Sequence, residues 1–206
     1  ISGNVVRSQS IEAPLASLRL AKKARIKLIV FGSDNFNKYA DAKELLQAII
    51  DENLQIDFFA QCDTQIADDE EMVELMARAG CIFMFVGVES FNYATLQAAQ
   101  KTQNRPGKYV NIIQLCRKYG IVATFSNIIG FPQDTEASVK EHLRIIKELS
   151  PAMAWFYILT PIPGTEQYGD FLKEGLITEK NLDRFDCTVP VWTHPNFSHK
   201  QLLDLQ

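Results

Sequence analysis

The chain has 206 residues, 47% hydrophobic and 22% charged, proportions ordinary for a water-soluble fold and long enough for one domain with a continuous core. Its formal net charge is −4 and no long basic block occurs, so nucleic-acid binding has no electrostatic support. No apolar run approaches the length of a membrane span and the first residues do not read as a signal peptide, which makes a cytoplasmic location the default expectation.

Residues 1–10 are polar and read as irregular. The stretch 12–24 carries Leu15, Leu18, Leu20 and Ala21 and ends in Lys22, Lys23 and Arg25, a helix with its cationic end where the macrodipole favours it. Pro14 fits only in its first turn. Residues 26–31 are short, apolar and β-branched, hence a strand, followed by the loop chemistry of Gly32-Ser33-Asp34-Asn35. A helix over 40–52 places Leu45, Leu46, Ile49 and Ile50 on one face.

The unit repeats. Residues 55–60 predict a strand ending at Gln61, Cys62 and Asp63; Asp68 or Asp69 caps a helix through Ala79, and Gly80 ends it. The run from Ile82 to Val88 is apolar except for Gly87, with no stripe, as in a central parallel strand buried on both faces. Glu89 and Ser90 stand where it stops. Helices over 93–99 and 109–119 follow, then a strand over 121–129, the turn-rich Gly130 to Thr135, a helix over 136–149 and a strand over 152–159. Thr160-Pro161-Ile162-Pro163-Gly164-Thr165 can continue neither strand nor helix. A short helix over 167–174 leads into a tail with a short strand near 188–192 and a terminal helix from Ser198.

Five strands thus alternate with helices at a spacing of one βα unit, which predicts a parallel sheet with right-handed crossovers. The helix that precedes the first of them should itself follow a strand. The expected fold is therefore α/β, a partial (β/α)6 TIM-like barrel without its first strand, over residues 1–170, with a C-terminal extension over 171–206. A flavodoxin-like open sheet is the alternative. The start at Ile1 reads as that of a fragment or processed product.

Candidate site residues collect at the carboxyl ends of the strands, where ligands bind in parallel α/β folds. They are Asp34 and Asn35, then Gln61, then Glu89 and Ser90, then Asn127, Ile128 and Gly130, then Thr160, Pro161 and Pro163. Such a ring of carboxylates, amides and hydroxyls suits a polar, multi-hydroxyl ligand with a cationic group. Asp34, Asn35 and Asp63 equally suit helix caps, and the glycine- and proline-rich segments equally suit turns. A carboxylate beside an apolar strand costs several kcal/mol or so unless it is paired, and the sequence around Glu89 offers no adjacent Lys or Arg. Cys62, Cys81, Cys116 and Cys187 are too dispersed for a local metal motif and read as buried thiols. His142 reads as solvent-facing, and Trp155, Phe156 and Tyr157 as core.

The ordered phrases Phe31-Gly32-Ser33-Asp34-Asn35-Phe36, Ala60-Gln61, Ala79-Gly80-Cys81, Val86-Gly87-Val88-Glu89-Ser90 with Lys101-Thr102-Gln103-Asn104, Ile129-Gly130-Phe131-Pro132 and Thr160 to Thr165 resemble the radical S-adenosylmethionine enzymes. The subgroup resembled often carries an N-terminal cobalamin-binding domain. The resemblance implies S-adenosylmethionine and a 4Fe-4S cluster as cofactors, cobalamin through an upstream domain, an electron donor such as flavodoxin or ferredoxin, and a small-molecule or peptide substrate. It implies a 5′-deoxyadenosyl radical that abstracts a substrate hydrogen. By position it places Asp34 at the methionine ammonium, Glu89 and Ser90 at the ribose and methionine end, and Ile128 to Gly130 with Thr160 to Pro163 beside the adenine. Two departures stand out: Ser33 replaces the first of two adjacent acids, and the cluster-binding CxxxCxxC is absent from the chain. The competing expectations are a non-catalytic nucleoside- or partner-binding barrel and, ranked last, a lyase or aldolase, for which Lys27 lies at the wrong strand end.

Overall fold

Hydrophobic periodicity switches between two and three-and-a-half residues along the chain, and the elements follow it. In a computed structural model that describes residues 8–206 they are α1 (Glu12–Lys23), β1 (Leu28–Val30), α2 (Ala42–Asp51), β2 (Asp57–Cys62), α3 (Glu70–Ala79), β3 (Cys81–Glu89), α4 (Tyr93–Ala98), α5 (Tyr109–Tyr119), β4 (Val122–Ile129), α6 (Glu136–Leu149), β5 (Met153–Ile158), α7 (Glu166–Lys173) and α8 (His199–Leu205). The irregular reading of residues 1–7 lies outside the described residues. Asp69 caps α3 through the Met72 N–H, and Gly80 closes it in a left-handed conformation. No helix among the described residues is long and apolar enough to cross a membrane.

The strands pair in the order β1-β2-β3-β4-β5, every pair parallel, and the sheet curls into a partial barrel. A flavodoxin-like order would place the second strand outside the first, and this sheet does not. Strand alternation sends Phe58, Ala60, Met84, Val86, Val88 and Phe125 against the helices, where they are buried. The opposite, concave face carries Phe59, Gln61, Phe83, Phe85, Gly87 and Glu89, none of them fully buried. The apolar run of β3 was expected to be sealed on both faces; only its helical face is sealed, because no second layer covers the concave one among the described residues. The strand predicted over 26–31 shrinks to three residues, with Leu28 and Val30 exposed, since β1 has a partner on one side only.

Residues 171–206 rest on the ends of β4 and β5. The strand expected near 188–192 is reduced to a single antiparallel bridge between Ile177 and Trp192. Trp192 is buried and its Nε1–H donates to the Leu159 carbonyl at 2.9 Å. His194 Nε2 contacts the Phe131 carbonyl at 2.7 Å, and Asn196 Nδ2 donates to the Asp134 carbonyl at 2.9 Å. Leu202 of α8 is buried against Ile129, Val139, Ile158 and Phe197.

His142 is not on the solvent face of α6, as the sequence suggested. It shares the inward stripe with Val139 and Ile146, at i−3 and i+4, and is buried between the rings of Phe91 and Phe156. Its Nε2 lies 2.9 Å from Asn127 Oδ1. Burial pushes its pKa down from 6.5 to about 4. A histidine that the unfolded chain protonates first makes stability fall with acidity. The contribution is complete above about pH 6.5 and is lost as pH drops toward 4, a total of about 3 kcal/mol. His142→Gln keeps a donor for Asn127 and removes the titration. Urea unfolding between pH 7 and 4 is expected to show a shallower loss of stability in this variant; an unchanged slope would contradict the assignment.

Candidate cofactor-binding site

The end of β3 is bent into a tight turn. Glu89 has φ +64°, rare for a residue with a side chain, and the Ser90 N–H bonds back to the Val88 carbonyl at 2.7 Å. Such a conformation costs roughly 1–3 kcal/mol and persists only where its surroundings hold it. Here Asn104 Nδ2 donates to both the Gly87 and Val88 carbonyls at 3.0 Å, and the buried Tyr109 hydroxyl donates to the Val88 carbonyl at 2.9 Å. Burial, with Glu89 nearby, pushes the Tyr109 hydroxyl pKa well up, so it stays a donor. The turn aims the Glu89 carboxylate to the concave side, beside Gly87, where a Cβ would stand 3.1 Å from Glu89 Oε1.

Lys101 Nζ lies 3.5 Å from Glu89 Oε1. The partner that local sequence could not supply comes from the loop after α4, twelve residues on. That loop belongs to the same Lys101 to Asn104 phrase that grips the turn, and the phrase itself was the only sequence signal for it.

A cleft of about 230 Å³ opens at this point, lined by Asp34, Asn35, Gln61, Cys62, Asp63, Phe85, Gly87, Glu89, Lys101, Gln103, Asn104 and Ser126. It brings together Asp34, Asn35, Gln61 and Glu89 from the ends of three successive strands. Asn35 makes no capping bond, whereas Asp63 caps the short 3-10 turn Thr64–Asp68 and exchanges two hydrogen bonds with Asn37. A larger groove of about 490 Å³ lies on the outer helical layer around Asp68, Glu70 and Lys118, away from the strand ends.

The remaining predicted residues do not line the cleft. Ser90 is buried and its hydroxyl accepts from the Asn92 N–H. Asn127 is fully buried and turned toward α6: its amide donates to the Phe125 and Trp155 carbonyls and its oxygen meets His142. The reason is the alternation of β4, which puts Asn127 on the same face as the buried Phe125 and opposite Ser126. Gly87 pairs with Ser126 but Glu89 pairs with Asn127, so the two residues that share a rung face opposite sides. Ile128 packs with Phe131, Leu159, Val191 and Trp192. Gly130, Thr160 and Pro161 are buried and Pro163 half-buried at the ends of β4 and β5. There the Asp134 carboxylate accepts from the Gly130 and Phe131 N–H groups at 3.0 Å, and burial raises its pKa despite those bonds.

Two aromatic residues read as core are not. Trp155 and Tyr157 alternate onto the concave face while Phe156 packs against the core, and Trp155 is 48% exposed. Of the cysteines, Cys62, Cys81 and Cys116 are buried, but Cys187 is only half-buried. Burial pushes the Cys62 and Cys116 thiols up to about 12, so they are not thiolates. No group of three or more His, Cys, Asp or Glu among the described residues is placed to hold a metal ion. These residues do not fit an iron–sulfur cluster.

The radical SAM superfamily profile matches residues 2–146. The chain belongs to the radical S-adenosylmethionine superfamily. It is 30% identical over 157 residues to a bacteriochlorophyllide d C-8(2)-methyltransferase of Chlorobaculum tepidum, covering 68% of this chain and 35% of that protein. It is 28% identical over 202 residues to an uncharacterized methyltransferase of Pyrococcus horikoshii, covering 97% of this chain and 43% of that protein. The chain thus spans less than half the length of these relatives. The radical S-adenosylmethionine methyltransferase TsrM of Kitasatospora setae, with cobalamin and a 4Fe-4S cluster bound, superposes with a TM-score of 0.75 at 20% identity, over 81% of this chain and 34% of that one. The superfamily uses S-adenosylmethionine and a 4Fe-4S cluster.

Gly130 has φ +81°, and a Cβ there would lie 3.1 Å from Leu202 Cδ2. Gly130→Ala is therefore expected to cost roughly 1–3 kcal/mol, through backbone strain and crowding of α8. The measurement is the urea midpoint at constant slope; a midpoint equal to wild type would show that the β4 turn and α8 are not locked together.

Proposed function

We propose that this chain is the S-adenosylmethionine-binding body of a radical enzyme. In this reading the full-length protein, with a 4Fe-4S cluster held by residues other than those described, reduces S-adenosylmethionine to methionine and a 5′-deoxyadenosyl radical that abstracts a substrate hydrogen. The observation that carries the proposal is the convergence of Asp34, Gln61 and Glu89 on one cleft at the strand ends. Carboxylates suit both an α-ammonium and ribose hydroxyls, and the strained turn at Glu89 presents one of them already aimed.

The residues divide the work. Asp34 holds the ammonium, Glu89 accepts from the ribose hydroxyls, and Gln61 supplies an amide between them. The tail-braced segments Ile128 to Gly130 and Thr160 to Pro163 form the apolar wall for the adenine, with Asn127 acting by holding β4 against α6 and Ser90 by capping the turn. Sequence relatives that methylate carbon skeletons favour methyl transfer as the outcome, with cobalamin bound by another part of the protein and flavodoxin or ferredoxin as reductant. The protein's own contribution is orientation and exclusion of water.

Full-length protein reconstituted anaerobically with iron and sulfide is expected to release 5′-deoxyadenosine from S-adenosylmethionine when reduced. Glu89→Gln and Asp34→Asn are each expected to weaken S-adenosylmethionine binding by about tenfold or more, the value of a lost charge-assisted hydrogen bond. Binding measured by equilibrium dialysis that is unchanged in both variants would sink the assignment. A non-catalytic barrel would bind a nucleoside without releasing 5′-deoxyadenosine.

A further inference from the structure

We propose that the concave face around Trp155 is the substrate platform, and that the substrate lays a flat, conjugated, apolar ring system against the indole. The inference rests on the S-adenosylmethionine reading above and adds a substrate class to it.

Trp155 sits mid-strand, yet it is half-exposed, while its neighbours Ala154 and Phe156 pack against the core. Its partner in register is Ser126, whose own partner is Gly87. One large flat side chain therefore stands level with two of the smallest residues, so no bulky neighbour on that rung covers the indole. The same Gly87 and Ser126 line the cleft that holds Glu89. That rung thus borders the proposed cofactor site, where a reacting carbon has to lie. One rung toward the strand starts, Phe85, Thr124 and Met153 share the face, and Met153 is 40% exposed. The surface at that level is apolar apart from the Thr124 hydroxyl, which is buried and has no hydrogen-bond partner among the described residues.

The backbone beneath the indole is fixed by an unusual investment. Asn127 Nδ2 donates to the Trp155 carbonyl at 3.1 Å, and Asn127 is itself held by the buried His142. A buried amide–imidazole pair is costly to desolvate unless every bond is made, and what this pair secures is the strand position that carries an exposed tryptophan. A strand added at the free edge of β1 would shield Leu28 and Val30. It would not add to β5, which lies at the opposite edge of the sheet. A planar conjugated ring matches an indole face by offset stacking, which a saturated skeleton cannot do.

The test uses the full-length protein with its cluster reconstituted, protoporphyrin IX as the ring probe followed by its Soret band, and cholate as a saturated polycyclic competitor. Saturable binding is expected in wild type, weaker by about tenfold or more in Trp155→Ala and within about threefold in Trp155→Phe, without displacement by equimolar cholate. Equal affinity in Trp155→Ala, or binding that does not saturate, overturns the platform; displacement by cholate overturns the ring class. Because Trp155 is half-exposed, Trp155→Ala should keep the wild-type urea midpoint, so a loss of ring binding cannot be blamed on unfolding. S-adenosylhomocysteine binding, measured in parallel, should survive Trp155→Ala and weaken in Glu89→Gln. Unchanged binding in Glu89→Gln removes the cofactor reading, and with it the claim that the ring is a substrate, even where ring binding depends on Trp155.

Discussion

The conformation of one residue organises this sheet. Glu89 ends β3 at φ +64°, in a region that non-glycine residues avoid, and the surrounding elements are arranged to keep it there. Asn104 spans two carbonyls of the strand end, and Tyr109 reaches a third contact from α5 while stacking edge-on with Phe91 and Phe125. Thr64 in turn donates to Asn104 Oδ1, fixing which side of that amide faces the strand. A buried network of this kind is stiff because each member would be left unsatisfied if another moved. The loop after α4, irregular in outline, is thus tied to the strand end through Asn104.

The same turn changes how β3 meets β4. The bulge that accommodates Glu89 changes the pairing from Gly87 with Ser126 to Glu89 with Asn127. β4 keeps its own alternation, sending Asn127 with Phe125 toward α6, where His142 waits, and Ile128 toward the ends of the barrel strands. The carboxylate side of the site is therefore built from β1, β2 and β3, while the β4 and β5 ends are built on packing. The tail supplies that packing: Trp192, His194 and Leu202 each meet a carbonyl or a glycine of the two loops that follow those strands. The extension is a brace for the barrel's last two loops.

Element types and most boundaries were legible because they rest on local chemistry. Helix α5 ends where Gly120 dictates, α6 begins at the Thr135 cap, and the strand spacing alone implied a parallel sheet. What the sequence hid depends on which face a residue takes. Trp155, Phe156 and Tyr157 are three aromatics in a row, so composition shows no alternation, and only the register with β4 puts Phe156 inside and Trp155 out. His142 looked exposed because a polar residue in an amphipathic helix usually is. Its burial becomes sensible only with Asn127, fifteen residues away and on the same helix-facing side of β4 as Phe125. Lys101 was visible as part of a phrase but not as a partner, since a loop's course over a strand end has no periodic signature. Of the predicted strand-end residues, only Asp34, Asn35, Gln61 and Glu89 line the cleft, and cleft-lining and supporting positions could be separated only by geometry.

The pair between Glu89 and Lys101 bears on how such a site takes up a ligand. At 3.5 Å, with the lysine 45% exposed, it is a loose contact, of the kind worth about 0–1 kcal/mol after screening. It does little for stability, but it gives a largely buried carboxylate a partner while the cleft is open to water. In the proposed function, a ligand that brought its own hydroxyls or ammonium to Glu89 would displace an exposed lysine at 3.5 Å rather than a tightly bound partner. The strain in the turn has by then been met by Asn104 and Tyr109 during folding, so binding need not distort the backbone. Affinity then comes from contacts formed, with little spent on rearrangement. That is why a costly left-handed glutamate, rather than a relaxed one, is a reasonable way to end a strand whose other residues are almost all apolar.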